Sequence, residues 1–199
     1  MGRIAGVTAE ETRQRLLDAA TAEFLRRGFE GTRVADIAAG AELSNGALYG
    51  HFRSKSELLS AALREGGARE LEALFQGADG QSIADLLAAI GRGLRRTPAD
   101  RGGLMVEALV AARRDPEAAE VTSRHIGEGQ AWVIGLIRDG QKEGIIDPSV
   151  DPEALARLCV MMLLGSMLLS AVDLPPVGKA GWADLIERIE GSVTTTAGE

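Results

Sequence analysis

The sequence predicts an all-α protein: a compact N-terminal head of three helices joined to a larger C-terminal helical domain, about nine helices in all. Three observations carry this. Aromatic residues make up only 4% of the 199 residues, and alternating β-branched runs are hard to find, which disfavours a sandwich or barrel. Helix-start signatures recur along the chain: a hydroxyl or carboxylate cap followed by an acid in the first turn. Apolar residues recur at spacings of three and four, the period of a helix with one buried face. With 45% hydrophobic residues there is enough apolar surface to close a core. No strand and no internal repeat stands out.

Thr8-Ala9-Glu10-Glu11 reads as a capping box that opens a first helix over roughly 9–27, with Leu17, Ala20 and Phe24 on one face and Gly28 as its stop. Val34, Ile37, Ala38 and Ala41 stripe a short second helix over roughly 33–40, and a third runs over roughly 45–51, separated from it by Glu42-Leu43. Helices this short are marginal alone and must lean on a neighbour; the first helix supplies it, which gives a helix-turn-helix unit. Ser54-Lys55-Ser56-Glu57 opens a fourth helix over roughly 55–76, whose stripe continues to Leu71, Leu74 and Phe75. Ser82 and Thr97-Pro98 start helices over roughly 83–95 and 99–113, the latter striped by Leu104, Met105, Ala108, Leu109 and Ala112. Asp115-Pro116-Glu117 and Asp151-Pro152-Glu153 start helices over roughly 116–143 and 152–172. Trp182, Leu185, Ile186, Ile189 and Val193 mark a last one over roughly 181–194, and the small polar tail Thr194–Glu199 is expected to fray.

The formal net charge of −7 at first disfavours nucleic acid, but it is unevenly spread. Residues 1–64 carry +1 and the remainder −8, so a basic face on the head can still meet phosphates. One Cys rules out an intramolecular disulfide framework, and with no recognisable signal peptide a reducing cytoplasm is the simplest home. The longest uncharged stretch, Leu158 to Val172, has 15 residues and includes Gly165, Ser166 and Ser170; it is short for a membrane span and fits a buried helix better. Two His, one Cys and no nucleophile–base or metal-ligand spacing leave an enzyme without a catalytic constellation, and no cofactor or metal site is expected.

The run G-F-E-G-T-R-V-A-D-I-A-A-G-A-E-L-S-N-G-A-L-Y-G-H-F-R-S-K-S-E-L-L, Gly28 to Leu59, with L-L-D-A-A-x-x-x-F at Leu16 to Phe24 before it, resembles the head of the tetracycline-repressor (TetR) family of transcription regulators. The L-Y-x-H-F-x-S-K segment is its most specific part. The resemblance covers about the first 60 residues. It implies a DNA-binding domain over 1–54 and an effector-binding and dimerisation domain over 55–199, with the fourth helix as connector. It further implies a homodimer on double-stranded operator DNA, in most members a repressor that a small molecule releases. The competing readings are a helical adaptor whose short helices bind protein, or a regulator acting as an activator.

The residues support those roles chemically. Ser44 caps the third helix and leaves its N-terminal N–H groups facing outward. Asn45 offers a donor and an acceptor to a base edge, or is a solvated helix residue. Gly46 and Ala47 are small enough for close approach to a groove. Leu48 and Phe52 point into the head, leaving Tyr49 and His51 toward phosphates. Lys55 can neutralise another phosphate, and Thr32 and Arg33 supply a cap and a charge at the start of the second helix. Arg26 and Arg27 read as helix-end charges, and Arg3 either enters a minor groove or belongs to a disordered arm. Where the family has Gly in the turn, this chain has Glu42; at positive φ that costs about 1 kcal/mol.

The helix over 152–172 is apolar on nearly every side, through Leu155, Leu158, Val160, Met161, Leu163, Leu164, Leu168 and Leu169. Such a helix must be covered all round, by its own domain on one side and a second copy on the other. The family implies that the last helix joins it in an intersubunit four-helix bundle. Met105, Leu109, Trp132, Met162 and Met167 either line an adaptable pocket for a largely apolar effector or form ordinary core. His125 is a polar anchor for that effector or a surface histidine. Gly66-Gly67 midway along the connector is either a hinge or a tolerated break.

Overall fold

The computed structural model describes residues 8–75, 99–170 and 178–195. Among them are eight helices: α1 Ala9–Gly31, α2 Val34–Gly40, α3 Asn45–His51, α4 Lys55–Phe75, α5 Ala99–Ala112, α6 Pro116–Lys142, α7 Pro152–Ser170 and α8 Lys179–Val193. The helix expected over 83–95, with its Ser82 start, and the Thr97-Pro98 start lie outside the described residues. The only pairing of extended backbone among them is an isolated bridge between Ile146 and Thr194.

The caps at Thr8, Ser44, Ser54, Asp115 and Asp151 are where the sequence puts them. Thr8 Oγ1 accepts from Glu11 N at 3.1 Å while Glu11 Oε2 accepts from Thr8 N at 2.7 Å, a complete capping box. Ser44 Oγ accepts from Ala47 N at 3.1 Å and Ser54 Oγ from Glu57 N at 3.0 Å. Asp115 Oδ1 accepts from Ala118 N at 2.9 Å and Asp151 Oδ1 from Ala154 N at 2.8 Å. The stop at Gly28 is real as well. Its φ of 73° and ψ of 166° break α1, and the chain turns there before Thr32.

The chain divides into two compact units. The first comprises residues 1–66 with 104–123, the second 67–103 with 124–199. In the first, Leu16, Ala20, Phe24, Ile37, Leu48, Phe52, Leu58 and Leu59 are all at most 1% exposed. The expected stripe on α5 is buried at Leu104, Met105 and Ala108; Leu109 and Ala112 are half-buried, and Ala111 is buried in their place. Burying each large side chain is worth about 1.5–3 kcal/mol relative to leaving it exposed, which is what holds the short α2 and α3 in place.

The second unit closes on Val133, Ile137, Ile146, Leu155, Ala156 and Cys159, with Trp132, Met162, Leu163 and Val193 packed at the edge. Among the described residues, α7 is most deeply buried on this face. Leu158, Met161, Leu168 and Leu169 on its other side are 40–56% exposed, and Leu185 on α8 is 47% exposed. By length and composition α7 meets the test for a membrane span, over Pro152–Leu169 with mean hydropathy 1.6. It nonetheless starts at an aspartate cap, carries Arg157, and sends Leu155, Ala156 and Cys159 into the core of its unit. The expectation of a frayed tail is corrected at its first residues. Thr195 N donates to Ile145 O at 3.0 Å, its hydroxyl donates to Gly144 O, and Asp147 N donates to Val193 O at 2.9 Å. These backbone bonds pin Thr194 and Thr195 beside the loop after α6.

Candidate nucleic-acid interface

The joint between α2 and α3 is a Schellman turn. Leu43 N donates to Ala38 O at 2.8 Å and Glu42 N to Ala39 O at 3.0 Å, so two carbonyls at the end of α2 find partners. The motif needs a left-handed residue at its centre, and Glu42 takes it with a φ of 56°. It is the one described residue other than glycine with a positive φ. Glycine would adopt this geometry freely; glutamate carries a strain of about 1–2 kcal/mol. Arg15 on α1 reaches the same turn: its Nη2 donates to Ala41 O at 2.7 Å and to Glu42 Oε2 at 3.0 Å.

Helix α3 follows from the Ser44 cap with two distinct faces. Leu48 and Phe52 are buried, at 0% and 1% exposure, as their four-residue spacing requires. Ser44, Asn45, Gly46 and Tyr49 are exposed, with Tyr49 at 57%, and Ala47 and His51 are half-buried. A Cβ at Gly46 would meet only Ser44 Oγ, at 3.8 Å, and one at Gly50 would meet nothing within 4 Å. Among the described residues nothing demands glycine at either position. Arg33 caps α2 without a side-chain bond and stands exposed, as does Arg53 just beyond α3. The sequence reading passed over Arg53, although its place between Phe52 and the Ser54 cap already set it at the edge of the helix-turn-helix unit.

One expected role is corrected, and the charge of a second expected residue is found engaged within the chain. Thr32 does not cap α2. Its hydroxyl is directed back at Gly28 O, 2.8 Å away, and Glu23 O, 3.0 Å away, and the residue is 1% exposed. The carbonyls freed where Gly28 breaks α1 are nearer acceptors than anything in α2 offers. Lys55 is likewise no free charge. Its ammonium donates to Phe29 O at 2.6 Å and Thr32 O at 3.1 Å and lies 4.3 Å from the Phe29 ring centroid. Burial depresses its pKa, with Asp115 and Glu30 pulling the other way. Arg26 and Arg27, expected as helix-end charges, pair with Glu23 at 2.6 and 3.3 Å, and Arg27 also with Asp36 at 3.1 Å.

The first unit also ties the head to the α5–α6 corner. Ser54 Oγ donates to Glu117 Oε1 at 2.6 Å, and Arg114 Nη1 donates to Glu30 Oε2 at 3.2 Å. The residues expected at an effector site are divided. Met105, buried, and Leu109, half-buried, belong to the first unit; His125, Trp132, Met162 and Met167, all half-buried, belong to the second. Trp132 and Met162 pack against the core around Val133 and Cys159.

Comparison with known proteins agrees with this architecture. Residues 16–62 match the family model for bacterial regulatory proteins of the tetR family. The HTH-type transcriptional regulator UidR of Escherichia coli K12 is 27% identical over 95% of this chain and 96% of its own. The structure of GusR from Salmonella enterica superimposes with a TM-score of 0.74 at 26% identity, covering 91% of this chain and 94% of that one. A TetR-family regulator from Rhodococcus sp. shares the fold with a TM-score of 0.80 at 23% identity, over 94% and 100% of the two chains. Head motif, all-helical architecture and relatives over nearly the whole length agree: residues 16–62 carry the helix-turn-helix head of the tetR family, and the chain as a whole is similar to that family's transcriptional regulators.

Proposed function

We propose that this protein is a homodimeric repressor that places α3 of each copy in the major groove of a near-palindromic operator and releases it when a small molecule binds the C-terminal region. The carrying observation is the division of α3. Leu48 and Phe52 hold it to the core while Ser44, Asn45, Gly46 and Tyr49 form an exposed, small and polar surface. Glycines at 46 and 50 that no described neighbour requires fit a surface another backbone approaches closely. Asn45 reads a base edge; Ala47 touches a thymine methyl; Tyr49 and His51 position the helix on phosphates. Arg33 and Arg53 neutralise flanking phosphates, the task Lys55 is too occupied to perform alone.

The functional division assigns DNA binding to residues 1–54 and effector binding and dimerisation to 55–199. The exposed apolar faces of α7 and α8 are what a second copy would cover, and two heads are what a twofold operator needs. The effector is largely apolar, read by the half-buried His125, Trp132, Met162 and Met167 of the second unit. We place the protein in the cytoplasm, without enzymatic activity. Selection of duplexes from a randomised library tests the reading. It should enrich an inverted repeat whose binding weakens steeply with salt. Asn45→Ala should change the bases enriched, at a discrimination of about 1–3 kcal/mol. A chain that enriches no sequence and shows no salt-dependent DNA affinity is a protein-binding adaptor instead.

A further inference from the structure

We propose that Arg15 is a positioning residue for α3: it clamps the strained turn at Ala41-Glu42 and so does the work that a glycine at position 42 would make unnecessary. The inference rests on the DNA-binding reading for its consequence but not for its geometry. Glu42 sits at the centre of the Schellman turn with φ 56°. A glutamate can leave that conformation for an ordinary one only by opening the Leu43–Ala38 and Glu42–Ala39 bonds, which would re-aim the Ser44 cap and all of α3. Arg15 opposes this from α1 in two ways at once. Its Nη2 holds the Ala41 carbonyl at 2.7 Å, on the residue before the strain, and the Glu42 carboxylate at 3.0 Å, on the strained residue itself. The carboxylate is 85% exposed, so the ion pair alone is weak. The bond to the half-buried backbone carbonyl fixes the turn, and the pair keeps the guanidinium aimed at it. Arg15 is rooted for the task beside Leu16 and Leu17, at 0% and 5% exposure, which anchor α1 in the head core. The side chain that creates the strain thus also recruits the clamp that holds it.

The test separates backbone strain from charge. The probe is a duplex enriched by the wild-type chain from a randomised library, and affinities are compared for Arg15→Ala, Arg15→Ala/Glu42→Gly and Arg15→Ala/Glu42→Gln. Arg15→Ala should weaken binding roughly five- to tenfold with little change in helical content. The two double variants carry the same net charge as the wild type. Only the glycine one should recover to within about threefold, because only glycine relieves the positive φ. Amide hydrogen exchange gives a second readout that needs no DNA. In Arg15→Ala, exchange should accelerate from Glu42 to Leu48 while the α1 core amides stay protected, and Glu42→Gly should restore protection. Equal recovery by glycine and glutamine would make Arg15 a matter of charge and overturn the proposal. So would wild-type affinity and wild-type exchange in Arg15→Ala. If no duplex is enriched, the DNA-binding reading fails, while the exchange pattern still decides whether Arg15 holds the turn.

Discussion

The Lys55 ammonium and the Phe29 carbonyl lie 2.6 Å apart, joining the first turn of α4 to the segment where Gly28 breaks α1. The same lysine caps Thr32 O and lies over the Phe29 ring, so one side chain closes the C-terminal end of α1. This changes what its removal should do. Lys55→Met keeps the apolar stem but leaves two carbonyls without their charged donor, at a cost of about 1–3 kcal/mol. Operator affinity should fall with stability while the slope of log affinity against log salt hardly moves. Arg33→Ala and Arg53→Ala should each lower that slope by about one unit per phosphate contact per head, with stability unchanged. Salt titrations beside thermal melts check both. A full unit of slope lost in Lys55→Met would return the lysine to the phosphates.

That contrast shows what the sequence could and could not convey. Caps are local, and Thr8, Ser44, Ser54, Asp115 and Asp151 all act where their spacing to the next acid or amide places them. The buried pair Leu48 and Phe52 follows from helical period, and the break at Gly28 from glycine itself. Partners distant in sequence carry no such signal. Ser54 meets Glu117 across 63 residues and Arg114 meets Glu30 across 84. Thr32 read as a cap because a hydroxyl before a helix usually is one; only the fold shows that the broken end of α1 claims it first. The glutamate in the turn could be seen as an anomaly, but the arginine that answers it lies on another helix with no periodic relation to it.

Cys159 is fully buried in the second unit's core, and burial pushes its thiol from 9.0 up to about 11. The folded state therefore keeps this proton more tightly than the unfolded chain does. Below about pH 9 both states hold it and nothing changes. From about pH 9 to pH 11 the unfolded state loses the proton first, so stability must fall as pH rises. Cys159→Ala should lack this part of the alkaline decline, visible as a flatter melting temperature against pH than the wild type. The native thiol should also resist an aromatic disulfide reagent near pH 8, reacting only as the unit opens. Rapid stoichiometric labelling of the folded chain would contradict the burial.

Met161 and Leu168 tell whether the uncovered side of α7 faces a second copy. They are 56% and 47% exposed in the single chain, so Met161→Glu with Leu168→Glu should leave the monomer's own core intact, each change costing less than about 0.5 kcal/mol there. In a dimer buried on that face the two carboxylates would be desolvated without partners. Sedimentation at micromolar concentration should show wild-type dimer and variant monomer, with helical content preserved. The monomeric variant should lose most of its affinity for an inverted repeat but keep weak binding to a half-site. A wild-type chain that sediments as a monomer and still binds the full repeat tightly would remove the second copy from the mechanism.

Gly66 offers a sharper test of the connector. Helix α4 runs unbroken from Lys55 to Phe75, so Gly66 and Gly67 are both helical and neither ends the rod. A Cβ at Gly66 would meet nothing within 4 Å. No packing requirement among the described residues explains the glycine, and alanine there should add about 0.5–1 kcal/mol through helix propensity alone. For a chain of this length that is a rise of about 1–4 °C in Tm. If the glycine pair serves as a soft point between head and receptor, wild-type amide exchange should be faster just after Gly66 than at Leu58 to Leu63, and Gly66→Ala should slow it there selectively. A ligand acts on the heads only through its different affinity for their arrangements, so a stiffer rod should alter the release response more than resting operator affinity. Uniform protection along the wild-type helix, with Tm raised and affinity unchanged in the variant, would leave Gly66 a tolerated imperfection and send the signal through the α5–α6 corner, where Glu117 holds Ser54.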